Sequence, residues 1–170
     1  MRLFHVSEES GISIFIPRPV VRRDLNPEAK YVWAIDEDHL PNFLTPRNCP
    51  RVCYRTNNHT TSEDMEKYIG TSSRHVVIIE ADWLERLKST ELYLYEFDPK
   101  DFVMQDAAAG YYVSTETVRP IQKLCVRDLP AEIHKRGAEL RTAPNLHPIA
   151  EDIKKSSFDW SLCRMALAKK

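Results

Sequence analysis

The chain has 170 residues, 42% hydrophobic and 29% charged, with a formal net charge of −1. That length supports one domain over 1–170 with a core of its own. The near-neutral balance lacks the basic excess of a protein that grips nucleic acid mainly through phosphates. No apolar run approaches bilayer-spanning length, so no membrane partner is expected. The opening Met1-Arg2-Leu3-Phe4-His5-Val6 turns polar too soon for a signal peptide, and the expected compartment is the cytoplasm.

Along the chain, segments rich in β-branched and aromatic residues predict strands at 2–6, 31–35, 51–55, 75–80, 92–97, 111–114, 118–126 and 138–142. Thr60-Thr61-Ser62-Glu63-Asp64 reads as a capped, acidic helix start, with Gly70 as its stop. Residues 81–88 place Trp83, Leu84 and Leu87 on one helical face. Asp128-Leu129-Pro130 opens another helix, which Gly137 closes, and residues 145–155 form the last. Strands dominate and helices interrupt them irregularly, which predicts an α+β fold with mostly antiparallel sheets and short inserted helices. In Leu92-Tyr93-Leu94-Tyr95-Glu96-Phe97 both alternating sets are largely apolar, the pattern of a central strand. Asp98-Pro99 then breaks it.

The chain carries no glycine-rich dinucleotide or phosphate-loop signature, no G-x-S-x-G and no H-E-x-x-H. The six histidines show no ligand spacing. Cys49 and Cys53 with His59 are a poor match to a zinc knuckle, so no metal is expected, and the four cysteines read as free thiols. Three features stand out. His5 places an imidazole inside an apolar strand, where it needs a partner if buried. Arg47, Arg51 and Arg55 follow one another on a stretch stiffened by Pro46 and Pro50, suited to phosphate or carboxylate recognition and equally to a solvated loop. Thr71-Ser72-Ser73-Arg74-His75 could hold an anion or form a plain polar turn.

These residues bear a resemblance. Arg2-Leu3-Phe4-His5-Val6 followed by Gly11-Ile12 resembles the opening of ADP-ribosyltransferase-type domains. Tyr31-Val32-Trp33-Ala34 resembles their second motif, Tyr93-Leu94-Tyr95-Glu96-Phe97-Asp98-Pro99 their central strand, and Tyr111-Tyr112-Val113 through Val118-Arg119-Pro120-Ile121 the surroundings of the third. Over nearly its full length the chain resembles a small family of uncharacterised bacterial proteins. The features that carry this are Leu3-Phe4-His5-Val6-Ser7-Glu8, the run from Pro41-Asn42-Phe43-Leu44 to Pro50-Arg51-Val52, and Trp160-Ser161-Leu162-Cys163-Arg164-Met165.

The resemblance implies an ADP-ribosylation-like fold and NAD, or a related nucleotide, as the ligand. His5 would bond the nicotinamide ribose, and Trp33 or Tyr31 would stack on nicotinamide. The third-motif acid falls near Ala109, which cannot serve; the nearest acids are Asp106 and Glu116. The implied catalytic set is therefore His5, Trp33 and Glu116, with Tyr31, Arg47, Arg51, Arg74 and Tyr95 added for nucleotide binding. The resemblance then implies a weak transferase or a binder that has lost catalysis, with the acceptor open. Relatives of this fold that act on 2′-phosphorylated RNA ends use basic residues instead, which keeps a phosphotransferase or phosphoesterase reading alive through Arg47, Arg51 and Arg74. A non-enzymatic interaction domain is the third reading. The first reading predicts His5, Trp33 and Tyr95 in one concave site, with at least two of the three arginines aimed into it.

Overall fold

The computed structural model describes residues 1–19 and 28–170. Its strands, in chain order, are β1 (Leu3–Ser7), β2 (Arg18–Pro19), β3 (Lys30–Asp36), β4 (Arg51–Arg55), β5 (His75–Glu80), β6 (Leu92–Phe97), β7 (Val103–Asp106), β8 (Tyr111–Ser114), β9 (Gln122–Val126), β10 (Glu139–Ala143) and β11 (Asp159–Cys163). The α-helices are short: α1 (Ser62–Asp64), α2 (Leu84–Ser89), α3 (Leu129–Lys135) and α4 (His147–Ile153). The result is a mixed α/β chain with mostly antiparallel sheets.

The chain divides into two compact units, each assembled from two separate stretches. The first comprises residues 1–40 and 92–126. Its sheet runs β7-β8-β3-β1-β6-β9, with β2 added on β3, and every pairing is antiparallel. As the double apolar alternation of Leu92–Phe97 predicts, β6 is paired on both sides, by β1 and by β9. On one face lie Leu3, Val32, Ala34, Tyr95, Phe97 and Tyr112, packed with Phe15 and Val118. Phe15 sits in an irregular segment and is tied to Val118 by a two-way backbone bridge of 2.9 and 3.0 Å. That bridge brings its ring edge-on to both Tyr95 and Phe97.

The second unit comprises residues 41–91 and 127–170. Its sheet runs β10-β5-β4-β11, with β10 and β5 parallel and the other pairs antiparallel. All six residues of β5 are buried, as a strand paired on both edges and covered on both faces requires. Val52, Tyr54, Val76, Ile78 and Ala143 face α4 and pack on Leu146, Ala150 and Ile153.

Local chemistry explains the helix ends. Asp128 caps α3 by accepting the Ala131 amide at 3.3 Å, and Gly137 leaves it at φ +79°. The helix that begins at Ser62 widens into a π-turn over Met65–Ile69, closed where the Gly70 amide meets the Met65 carbonyl at 3.0 Å. Arg141 holds that turn from below. Its guanidinium donates to the Ile69 carbonyl at 2.6 Å and to the Tyr68 carbonyl, while Glu139 accepts from it at 2.8 Å.

Candidate functional site

His5 occupies the middle of β1, directly opposite Tyr95 of β6. Its Nδ1 lies 3.1 Å from the Trp33 carbonyl oxygen. A carbonyl only accepts, so Nδ1 carries the proton. The ring is half-buried, with Phe15 4.9 Å away. Burial holds the imidazole below its ordinary value; the carbonyl opposes this, and the charge of Arg18 adds to the lowering. A neutral ring with Nδ1–H engaged presents Nε2 as an acceptor.

Tyr95 is fully buried, yet its hydroxyl is doubly used. It donates to the Glu9 carbonyl at 2.6 Å and accepts the Ile12 amide at 3.2 Å. It thereby pins residues 9–12, in the segment that follows β1, onto the His5 face. Beside it lies a groove of about 330 Å³ bounded by residues 10–13, Tyr95 and residues 120–123.

Trp33 and Tyr31 do not join them. Leu3 pairs with Asp36 and Phe4 with Ile35, so side chains at odd positions of β3 share the face of Phe4, and His5 shares that of Ala34. The Trp33 ring therefore stands on the other side of the sheet. There it packs edge to face with Tyr31 at 6.0 Å and Tyr111 at 5.4 Å. The expectation that His5, Trp33 and Tyr95 line one concavity is corrected: His5 and Tyr95 share a face, and strand alternation excludes Trp33 from it.

At the third-motif position Ala109 is buried, and its amide is capped by Asp106 Oδ1 at 3.1 Å. Glu116 is exposed in the turn after β8, its own amide on Ser114 Oγ at 3.2 Å.

The three candidate arginines belong to the second unit. Arg47 and Arg74 are exposed. Arg51 is 7% exposed and donates to the Asn42 carbonyl and, at 3.0 Å, to the Cys49 carbonyl, with Phe43 stacked 5.1 Å from its guanidinium carbon. The same Asn42 accepts His75 Nε2 on its side-chain oxygen at 2.6 Å. Asn42, Arg51 and His75 thus form a buried polar knot behind β4 and β5. Cys49 and Cys53 lie beside it. Burial pushes the Cys49 thiol up to about 12 and raises Cys53 as well, the state of unreactive thiols. Among the described residues no three His, Cys, Asp or Glu side chains converge as metal ligands.

Two further arrangements lie outside the motifs named above. Asp36 Oδ1 accepts both the His39 amide at 2.9 Å and its ring Nδ1 at 2.7 Å. Gly110 lies against that ring so closely that a Cβ there would come within 2.3 Å of Nδ1. An Asp-x-x-His spacing is the signal for the first; nothing local signals the second. Arg2 grips Glu96 through two bonds of 2.8 Å and reaches Glu37 at 2.7 Å, which holds the Glu96 carboxyl below the usual range.

No curated protein and no solved structure matches the chain. A family profile described as a family of unknown function, DUF6886, matches residues 4–168, which is nearly the whole chain. The chain is a member of the DUF6886 family.

Proposed function

We propose that this protein binds NAD or a related ADP-ribose compound on the His5 face of its larger sheet, with an ADP-ribosyltransferase-like fold and weak transferase chemistry. The observation that carries the reading is the state of His5. A neutral ring whose Nδ1–H is fixed on the Trp33 carbonyl offers a lone pair at Nε2. A lone pair suits a ribose hydroxyl and repels a phosphate oxygen, which needs a donor. This weighs for a ribosyl ligand and against the phosphoesterase reading, in which His5 would grip phosphate. Transfer is weak because Ala109 offers no carboxylate to steady an oxocarbenium-like charge, while Asp106 caps the Ala109 amide and Glu116 faces solvent.

The test is calorimetric titration of NAD, ADP-ribose and nucleoside monophosphates into wild type and His5→Phe. The ribosyl compounds should bind wild type, and His5→Phe should weaken them by about 10-fold, the value of one hydrogen bond to a ligand hydroxyl. If no nucleotide binds, the nucleotide reading falls and the non-enzymatic interaction domain becomes the better reading.

A further inference from the structure

Two cations hold one short segment. Lys123 Nζ donates to the Ser10 carbonyl at 2.8 Å, and Arg119 Nη1 reaches the Ser13 carbonyl at 3.5 Å. Between these two points lies the groove beside Tyr95. It is lined by residues 10–13 and 120–123, with Ile12, Pro120 and Ile121 as apolar surface, and none of its lining residues is acidic. Among the described residues neither cation is paired with a carboxylate: Lys123 has the Ser10 carbonyl and the Tyr93 ring at 5.7 Å, and Arg119 the Ser13 carbonyl. This sets them apart from Arg2, Lys88, Lys100, Arg127 and Lys154, each of which meets an acid at 2.5–2.8 Å. A neutral carbonyl is a weaker partner for a cation than an anionic oxygen, whose charge-assisted bonds are roughly twice as strong. The groove therefore has Lys123 at the Ser10 side and Arg119 against the Ser13 backbone, each on a carbonyl that an anion can outcompete.

We propose that this groove is a diphosphate subsite, in which Lys123 and Arg119 exchange the Ser10 and Ser13 carbonyls for phosphoryl oxygens of a nucleoside diphosphate. The exchange frees the Ser10 and Ser13 carbonyls while the Tyr95 hydroxyl keeps its hold on Glu9 and Ile12. The proposal rests on the nucleotide reading above and names the anionic half of that ligand.

The experiment compares ADP with adenosine by calorimetry at low salt, in wild type, Lys123→Met, Arg119→Met, the double variant and His5→Phe. Wild type should bind ADP at least about 10-fold more tightly than adenosine. Each single Met substitution should cut the ADP affinity by about 5-fold and leave adenosine unchanged, each change removing one charge-assisted bond. Hydrogen exchange at Gly11 and Ser13 should rise when ADP binds, while the Ile12 amide stays protected by Tyr95. An ADP-to-adenosine ratio that is unchanged in the double variant overturns the proposal, as does a wild type with no preference for ADP or no affinity for either ligand. His5→Phe separates the two readings when ADP-ribose, whose distal ribose ADP and adenosine lack, is titrated beside them. If it leaves ADP-ribose binding unaffected while the Met variants abolish the preference for ADP, the ribose reading falls and the groove stands. If it weakens ADP-ribose and the Met variants leave the preference for ADP unchanged, the groove falls and the ribose reading stands.

Discussion

The imidazole of His5 and the indole of Trp33 occupy opposite faces of one sheet, although the His5 Nδ1 is 3.1 Å from the Trp33 carbonyl oxygen. The backbone of one residue orients the ring of the other, and their side chains cannot meet a common ligand on one face. The same bond fixes which proton His5 keeps.

The depressed His5 titration gives stability a pH dependence of definite sign. The unfolded ring takes up its proton near 6.5 and the folded ring does so lower. Between those values the unfolded chain binds more protons, so unfolding free energy rises with pH and is lost on acidification. Urea unfolding of wild type should therefore weaken from pH 7 downward through 6.5 more steeply than that of His5→Phe. Nitrogen-15 spectra of labelled histidine should show the Nδ1–H tautomer for His5 at pH 7.

Trp33 is expected to matter to stability and not to ligands of the His5 face. Trp33→Ala removes a ring packed against Tyr31 and Tyr111 and should cost about 1–3 kcal/mol, short of a full core truncation because the site is half-buried. NAD affinity measured on the refolded variant should stay within about 2-fold of wild type.

Arg51 offers a second contrast. The arginine pattern 47–51–55 points to anion recognition, but the buried Arg51 guanidinium serves the Asn42 and Cys49 carbonyls. Arg51→Met should destabilise the protein by about 2–4 kcal/mol by leaving those carbonyls without donors. The check is chemical denaturation beside titration of a nucleoside diphosphate, whose affinity should not change.

Gly110→Ala should be among the most damaging small substitutions. The residue sits at φ +69°, and the added methyl would fall 2.3 Å from His39 Nδ1, breaking its bond to Asp36 or shifting the β8 start. A loss of about 2–4 kcal/mol is expected from the combined strain and clash, read as a lower melting temperature. If Gly110→Ala melts like wild type, the corner does not rely on this contact.

Much of the architecture was legible because burial leaves a periodic trace. The eight predicted strand segments correspond to β1, β3, β4, β5, β6, β8, β9 and β10, although only residues 122–126 of the predicted 118–126 belong to β9. The strands that left no trace are β2 with two residues, β7 with exposed Val103 and Met104 at a sheet edge, and β11, whose Asp159-Trp160-Ser161-Leu162-Cys163 mixes polar and apolar residues on an edge. The turn Glu37–Phe43 is 3-10 helical with Pro41 inside it, a geometry without the periodicity of an α-helix. The site was less legible. His5 and Tyr95 share a face because they are paired across β1 and β6, which the central-strand pattern supports. Trp33 was misplaced because one residue of register moves a side chain through the sheet, and motif spacing does not fix register. Arg119 and Lys123 carry no local signal of their contacts, because the carbonyls they bond lie more than a hundred residues away.

The division of the chain into interleaved stretches has a consequence for its birth on the ribosome. The opening forty residues make β1 and β3 but lack β6, β8 and β9, which arrive only with residues 92–126. Residues 41–91 emerge meanwhile as a second unfinished sheet, with β4 and β5 waiting on β10 and β11 from beyond residue 127. At a typical elongation rate of about 5–20 residues per second, β5 spends several seconds with an apolar edge exposed before β10 can cover it. Nascent chains stalled between residues 91 and 126 should accordingly be the form of this protein most dependent on chaperone cover, and the last strand to be synthesised completes the second unit.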